Sequence, residues 1–332
     1  MIKTIKYVDG RGCDPYLNLA IEEYLMQNVK EDECILYLWQ NENTIVIGRN
    51  QNPWKECKVH EFERDGGHLV RRLSGGGAVY HDLGNLNFTF LVRKEDYDVN
   101  RQLDVIIKAV RKLGIEAEKS GRNDITVSGR KFSGNAFYTR GDRCYHHGTL
   151  MVDSDMTKLS GYLQVSKEKL KLKGVDSVRS RVTNLSEYHP DLGIRALKEK
   201  LIEVFGELYG RKADIYSQDD LDQESLQKGR EKFSSWKWIY GRDMKFQYEL
   251  SKRFAWGHVN FQFRVDQGKI KDVQLFSDSM DPDFIDSIPG YLKGCRYENQ
   301  SLMDGLSGVP AKSKARKEMK EDLIRYFDDA EL

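Results

Sequence analysis

The sequence lacks any apolar run of about 18 residues, the length at which a transmembrane helix is predicted. Its N-terminal residues do not form the apolar segment of a secretory signal. The five cysteines are scattered and contain no CxxC pair, which argues against both a disulfide framework and a zinc site. These absences predict a soluble, cytoplasmic protein that has reduced thiols and does not act at a membrane.

A charge excess is also missing. The chain carries 53 Lys+Arg and 52 Asp+Glu, for a formal net charge of +1. A protein that binds nucleic acid through a strongly basic surface has a larger excess, so a nucleic-acid partner is not expected. Two lysine-rich stretches are interpreted as solvated helix faces or as a surface for an acidic protein domain. They contain Lys167, Lys169, Lys171 and Lys173, and Lys312, Lys314, Arg316, Lys317 and Lys320.

The composition and the patterns that are present predict two domains. The 332 residues suffice for about two domains, and 39% hydrophobic and 11% aromatic residues exclude disorder. Strand patterns prevail up to about residue 152 and return after a polar connector at 210–242. Helices are predicted to start at Asp14-Pro15 and to cover 103–113, 155–173, 194–209, 281–293 and 314–327. The fold class is α+β, with a mixed sheet and flanking helices in 1–242 and a smaller α+β domain in 243–332.

Glycine is concentrated in one segment. Six of the 28 glycines lie in residues 66–84, whose centre reads Arg71-Arg72-Leu73-Ser74-Gly75-Gly76-Gly77-Ala78-Val79-Tyr80-His81-Asp82. Without Cβ atoms, backbone N–H groups can approach an anion closely, and the two arginines add bidentate positive charge. The spacing fits neither a Walker A loop nor a dinucleotide fingerprint. The segment is interpreted as an anion-binding loop, with a glycine-rich turn and solvated arginines as the alternative.

Two further segments carry candidate site residues. Lys131 follows a tight turn and is flanked by small residues, so it either reaches the glycine loop as a point charge or is a surface lysine on a hairpin. His146 and His147 are adjacent on a predicted strand, where successive side chains point to opposite faces. A metal site shared by the two histidines is therefore not expected.

These segments, in this order, closely resemble the lipoate–protein ligase A family, which is related to biotin protein ligases and octanoyl transferases. The resemblance rests on Arg72, Ser74–Asp82, Gly121–Asp124, the Lys131 hairpin and His146–Leu150. It extends to Asn52–Cys57, Val178–Asn184, Ser235–Trp238, Phe254–Gly257 and Phe276–Ser279, and so covers nearly the whole chain. It implies a catalytic domain of the biotin/lipoate ligase type followed by the accessory domain of long-form ligases.

The resemblance implies a two-step reaction. Lipoate attacks the α-phosphate of ATP to give lipoyl-AMP and pyrophosphate, and a lysine of an apo lipoyl domain then accepts the lipoyl group. The implied acceptors are 2-oxoacid dehydrogenase E2 subunits and the glycine-cleavage H protein, and the implied oligomeric state is a monomer. Whether octanoate replaces lipoate stays open.

The resemblance also assigns site residues by motif. It implies that ATP is bound by Arg72, Gly77, Ala78, Val79, Tyr80 and Lys131, and that lipoate is bound by Lys131, Gly76 and His81, with Lys131 as the catalytic residue. Mg²⁺ is expected to accompany the nucleotide, with Asp124 or Asp82 as a ligand. The walls of a slot for the apolar tail are expected to include Tyr37, Val46, Gly76, Val79 and His81.

An ATP-independent octanoyl or lipoyl transferase is the rival interpretation. Such an enzyme forms a cysteinyl acyl intermediate, and Cys144 is the cysteine nearest to the histidine motif. A buried structural thiol is the alternative role for this residue, because free cysteine is among the most buried residue types.

Overall fold

The computed structural model describes residues 2–121, 123–164, 182–241 and 244–330. The chain falls into two compact units. The first consists of Met1–Val46, Trp54–Arg71 and Ala78–Ile239, and the second of Ile47–Pro53, Arg72–Gly77 and Tyr240–Leu332. No helix within the described ranges has the length and apolar character that crossing a bilayer requires.

The first unit is built on a mixed sheet of eight strands. Its strands are β1 (Thr4–Asp9), β2 (Glu33–Trp39), β6 (Asn85–Arg93), β7 (Ala117–Ser120), β8 (Asp124–Val127), β9 (Arg130–Arg140), β10 (Arg143–Met151) and β11 (Asp214–Ile215). The order across the sheet is β11-β1-β2-β6-β10-β9-β8-β7. Strand β1 is parallel to β2 and β11, whereas the other neighbours are antiparallel. The prediction of a mixed sheet is confirmed.

A second, smaller sheet carries the residues on both sides of the glycine segment. It has the order β4-β3-β5, with β3 at Thr44–Ile47, β4 at His68–Arg71 and β5 at Val79–His81. Strand β3 pairs antiparallel with β5 and places Thr44 opposite His81. Residues Arg72–Gly77, called the glycine segment from here on, therefore lie between the end of β4 and the start of β5.

The first unit contains short and long helices. They are α1 (Pro15–Asn28), α2 (Pro53–Glu56, which starts in the second unit), α3 (Val59–Arg64), α4 (Val99–Lys112), α5 (Met156–Tyr162), α6 (Ile194–Tyr209), α7 (Gln223–Ser234) and α8 (Trp236–Ile239). Asp14 caps α1 by accepting hydrogen bonds from the N–H groups of Tyr16 and Leu17. Helices α4 and α6 cover one face of the large sheet, and Phe90 of β6 packs edge-on against Phe205 of α6 at 5.7 Å.

The prediction of a polar connector at 210–242 is wrong, because this stretch contains β11, α7 and α8. Helix α7 buries only Leu226 and Phe233. Between them lies Gly229, and a Cβ at this position would come within 2.8 Å of the Ala20 Cβ on α1. A glycine at the centre of the contact face hides the helical pattern, since it adds no apolar side chain.

Part of the helix predicted at 155–173 is present. Helix α5 ends at Tyr162, and residues 165–173 of the predicted helix lie outside the described part of the chain.

The second unit is a three-stranded antiparallel sheet packed against helices. The strands β12 (Tyr248–Phe254), β13 (Gly257–Asp266) and β14 (Lys269–Ser277) follow one another in space as in sequence. Val259, Phe261 and Phe263 of β13 join a core with α9 (Pro282–Leu292), α10 (Asn299–Ser307) and α11 (Lys314–Asp328). Their alternation with polar residues is the period of two expected for a strand. Helix α10 was not predicted from the sequence.

Segments Ile47–Pro53 and Arg72–Gly77 belong to the second unit. The domain boundary near residue 243 stays a prediction, which places the glycine segment in the N-terminal domain.

Candidate active site

Lys131 is the second residue of β9, which follows a two-residue turn. Ser128 and Gly129 have φ values of 50° and 75°, as the tightest hairpin turn requires. The Lys131 Nζ lies 2.7 Å from Oδ1 of Asp124 on β8, and both side chains are about one-third exposed (35% and 38%). The hairpin therefore presents a cation and a carboxylate side by side, open to solvent.

Gly134 makes room for this lysine. A Cβ on Gly134 would lie 2.9 Å from Lys131 Nζ and 3.0 Å from Cε. The lysine chain thus lies across the glycine backbone, on the side of Thr149, whose hydroxyl accepts a hydrogen bond from the Gly134 N–H at 3.3 Å. Gly134 is one of the small residues that flank Lys131 in the sequence, and its missing side chain leaves space for the lysine.

The glycine segment is shaped by its own arginine. Arg72 is 6% exposed, its Nε donates to Ser74 Oγ at 3.0 Å, and its Nη2 donates to the carbonyls of Gly75 and Gly77 at 2.7 and 2.8 Å. These bonds hold the carbonyl groups of the loop inward. In the described structure the Arg72 guanidinium therefore supports the loop from within.

Two neighbouring segments of the second unit hold the same loop. The Gly76 N–H donates to the Ser279 carbonyl at 3.2 Å, and a Cβ on Gly75 would lie 2.1 Å from that carbonyl oxygen. On the other side, the Arg49 N–H donates to the Ser74 carbonyl at 2.9 Å. Close backbone approach therefore requires a glycine at position 75, and a φ of 89° favours one at position 76, whereas a Cβ on Gly77 would meet no heavy atom within 4 Å.

Residues 79–81 form β5 in the first unit. His81 is buried, its Nδ1 lies 3.2 Å from Asn41 Nδ2, and its ring meets Trp39 edge-on at 6.2 Å. The Tyr80 hydroxyl donates to Asn43 Oδ1 at 3.2 Å, and burial raises the pKa of this phenol. Val79 is partly exposed.

The two candidate magnesium ligands differ in their surroundings. Both oxygens of Asp82 accept backbone hydrogen bonds, from Gly84 at 3.0 Å and from Asp155 at 2.7 Å. Asp124 faces Lys131 and is part-exposed. In the described part of the chain no three His, Cys, Asp or Glu side chains cluster as metal ligands. A lone carboxylate still suits Mg²⁺, which binds through one or two carboxylates and substrate phosphates.

A buried polar chain that was not predicted from the sequence joins the large sheet to α1. His147 Nδ1 lies 2.8 Å from Oε1 of Glu22 on α1, which also accepts a hydrogen bond from Thr89 Oγ1 at 2.7 Å. The Trp39 Nε1 donates to Thr89 Oγ1 at 3.1 Å. The predicted wall residue Tyr37 is fully buried and stacks on Trp39 with ring centroids 5.8 Å apart. The histidine motif pointed to His147, but nothing in the sequence pointed to Glu22, 125 residues away.

His146 faces the opposite side of β10, as strand geometry predicted. Its Nε2 lies 2.8 Å from Asn135 Oδ1, and its Nδ1 lies 3.2 Å from the Gln102 amide. Complete burial lowers the pKa of His146 to about 3, so the ring is neutral. A neutral ring carries one N–H, which donates to one of the two facing oxygens, Asn135 Oδ1 or Gln102 Oε1.

We expect this histidine to make the free energy of unfolding depend on pH. The unfolded state binds a proton near pH 6.5 and the folded state near pH 3, so stability falls as pH decreases through this window, by up to about 1.4 kcal/mol per pH unit. Urea titrations between pH 7 and pH 4 check this. His146→Gln should flatten the profile, whereas His60→Gln at an exposed position should not. Identical slopes for wild type and His146→Gln would contradict it.

Cys144 does not have the surroundings of a nucleophile. Its side chain is buried in the core of the first unit, its Sγ lies 3.3 Å from Thr139 Oγ1, and burial raises the pKa of the thiol. A reactive cysteine needs a lowered pKa and access to its substrate. We expect Cys144→Ala to keep the wild-type activity with a lowered Tm. A loss of turnover without a loss of stability would restore the transferase interpretation.

A cavity of about 500 Å³ lies elsewhere in the first unit. Asp14, Tyr16, His68 and Arg230 are among its lining residues, and Arg230 Nε donates to Asp14 Oδ2 at 2.7 Å. None of the predicted site residues lines this cavity.

Two family models together match most of the chain. Residues 14–206 match the lipoyl protein ligase A/B catalytic domain, and residues 243–327 match the bacterial lipoate protein ligase C-terminus.

Similar proteins and solved structures agree with these matches. Lipoate-protein ligase A of Bdellovibrio bacteriovorus is 39% identical over 94% of each chain, and that of Psychrobacter cryohalolentis is 42% identical over 90% of each chain. P. falciparum LipL1 in complex with lipoate has a TM-score of 0.84 at 30% identity and covers 97% of this chain and 99% of its own. A lipoate-protein ligase A bound with ATP has a TM-score of 0.63 at 25% identity, over 73% and 99%. With the glycine loop, the Lys131 hairpin and the C-terminal unit all present, this chain belongs to the lipoate–protein ligase A family.

Proposed function

We propose that Lys131 is the catalytic cation of this ATP-dependent lipoate ligase, and that the reaction proceeds through lipoyl-AMP. The observation that carries the assignment is the position of the Lys131 side chain. Its ammonium lies over Gly134, is partly exposed, and is 2.7 Å from Asp124 Oδ1. A cation held in place before substrate binds stabilises developing charge without further reorganisation. ATP and lipoate, which are bound in the two structural neighbours described above, are the substrates.

In the first step the lipoate carboxylate attacks the α-phosphorus of ATP. An O–P bond forms, the bond to the bridging oxygen breaks, and pyrophosphate leaves with the electron pair. Negative charge accumulates on the equatorial oxygens, and we assign Lys131 to these oxygens and to the lipoyl carboxylate. No protein nucleophile is needed, which agrees with the buried state of Cys144.

In the second step the amine of an acceptor lysine attacks the carbonyl carbon of lipoyl-AMP. The C–O bond to the phosphate breaks, AMP leaves, and the amine nitrogen releases a proton to water as the amide forms. In this step, too, we assign Lys131 to stabilise negative charge, now on the phosphate of the departing AMP. His147 of β10 forms a buried pair with Glu22 of α1, which restricts the histidine ring to one orientation.

The remaining assignments follow the family motif. We assign ATP binding to Arg72, Gly77, Ala78, Val79 and Tyr80 in addition to Lys131, and lipoate binding to Gly76 and His81 in addition to Lys131. For Arg72 this means that hydrogen bonds now made to loop carbonyls are shared with, or exchanged for, bonds to phosphate oxygens. Asp124 would hold Mg²⁺, whose positive charge offsets the charge of the triphosphate.

The acceptors are apo lipoyl domains, such as those of 2-oxoacid dehydrogenase E2 subunits or the H protein. Support comes from a structural neighbour from Thermoplasma acidophilum described with its E2 lipoyl domain, which has a TM-score of 0.65 at 26% identity over 74% of this chain. We also propose that the enzyme acts in the cytoplasm as a monomer.

One incubation tests the function. The purified protein is mixed with lipoate, Mg²⁺ and an apo lipoyl domain, with and without ATP, and the acceptor is weighed by mass spectrometry. The expected result is a lipoyl mass gain only with ATP, accompanied by AMP. A gain from an acylated carrier without ATP would overturn the proposal in favour of a transferase. Octanoate in place of lipoate measures the substrate range.

A further inference from the structure

Arg71 is a fully buried arginine at the end of β4 in the first unit, with 1% of its surface exposed. Its Nε donates to the carbonyls of Trp238 and Ile239, each at 3.1 Å, and its Nη2 donates to the Ile239 carbonyl as well. Arginine is almost never fully buried unless its donors are satisfied. The planar guanidinium offers several donors in a fixed geometry, which suits the two successive carbonyls at the end of α8.

The contact is reciprocal. The Trp238 indole Nε1 donates to the Arg71 carbonyl at 2.8 Å. The ring of Trp238 is held edge-on by Phe233 at 5.7 Å and lies 4.8 Å from the Lys232 ammonium. Lys232 is in turn bound to both carboxylate oxygens of Glu23 on α1 at 2.7 Å. We call the hydrogen bonds between Arg71 and residues 238–239 the clasp; it ties the end of β4 to the end of α8.

The clasp lies at two places where the main chain leaves the first unit. Arg71 is followed by the glycine segment Arg72–Gly77, and Ile239 is followed by Tyr240; both next residues belong to the second unit. The residue before the glycine segment, Arg71, is therefore held in place by its hydrogen bonds to Trp238 and Ile239. The Arg71 carbonyl, which precedes the peptide bond to Arg72, is one of the clasped atoms.

We infer that Arg71 and Trp238 are positioning residues for nucleotide binding: they fix the origin of the glycine segment so that its backbone donors meet the phosphates of ATP. The inference rests on the proposed function, because it needs the glycine segment to be the nucleotide site. It assigns the first arginine of the Arg71-Arg72 pair a role different from that of the second. Arg72 shapes the loop from within, and Arg71 sets where the loop begins.

Two variants separate positioning from simple stabilisation. Trp238→Phe removes the indole donor and retains an aromatic ring against Phe233. Arg71→Lys retains the charge and removes the planar fork. A residue that only stabilises the fold changes the Tm and the active fraction, whereas a positioning residue changes the KM for ATP in the enzyme that remains folded.

The measurement is lipoate-dependent ATP–pyrophosphate exchange, with thermal unfolding in parallel. For Trp238→Phe we expect the KM for ATP to rise about five- to tenfold, the effect of one lost hydrogen bond, with the KM for lipoate within about twofold of wild type. Hydrogen exchange of the amides at 73–77 should become faster without nucleotide. Trp236→Phe, at a 67% exposed ring, and Arg195→Lys, on the surface of α6, are the matched controls and should leave both constants unchanged.

The outcomes are distinct. If wild type catalyses exchange and Trp238→Phe lowers the Tm but keeps the wild-type KM for ATP, the positioning role is overturned and the proposed function stands. If wild type catalyses no exchange, the proposed function fails, and the positioning role fails with it. Where Arg71→Lys does not fold, Trp238→Phe decides.

Discussion

Lys131→Ala is expected to lower the rate of lipoyl-AMP formation by about 100- to 1,000-fold. Removal of one preorganised donor to a transition-state anion typically costs about 3–4 kcal/mol of barrier. The folded state should change little, because a one-third exposed ion pair such as Lys131–Asp124 contributes at most about 1 kcal/mol. Pyrophosphate exchange measures the first effect, and thermal unfolding measures the second.

The control for this variant is Lys119→Ala on β7, where the lysine is exposed and donates to Asn100 Oδ1 at 3.1 Å. It removes a lysine from the same sheet and should retain wild-type exchange. Near-normal adenylation by Lys131→Ala would remove the lysine from the mechanism and leave the charge to be supplied by Arg72 and the loop N–H groups.

Gly48→Ala is expected to raise the KM for ATP more than tenfold and to lower the Tm. A Cβ at this position would lie 2.2 Å from the Gly76 carbonyl oxygen and 3.3 Å from the Gly75 carbonyl carbon. Both are backbone atoms of the glycine segment, so the segment itself must move. Overpacking of this kind costs about 1–3 kcal/mol of stability. Kinetics at varied ATP and thermal unfolding provide the two measurements.

Gly290→Ala is the matched control in the same unit. It adds a methyl group where no heavy atom lies within 4 Å, in the interior of α9, so the Tm should be unchanged or slightly higher and the KM for ATP unchanged. A wild-type KM for ATP in Gly48→Ala would show that nucleotide binding does not depend on the position of this loop.

Local patterns predicted much of the fold correctly. Asp14 caps α1, and residues 128 and 129 form the turn before β9. In each case the signal and its cause lie within a few residues. The helix at 223–234 was missed because its contact with Ala20 is made by a glycine, so the packing that stabilises it leaves no apolar pattern.

The sequence by itself determined the composition of the site: a glycine cluster with arginines, a lysine after a tight turn, and a histidine pair on a strand. It also determined the family, since the order of these motifs is specific.

Only the tertiary structure decided how these residues are used. The pairing of His147 with Glu22, and the burial of Arg71 against the carbonyls of residues 238 and 239, join residues more than 100 positions apart. Arg72 differs in that its guanidinium bonds to carbonyls of its own loop, three and five positions away, but the motif does not specify this direction either. Hydrogen bonds depend on distance and direction in space, and a sequence motif specifies neither for residues that only folding brings together.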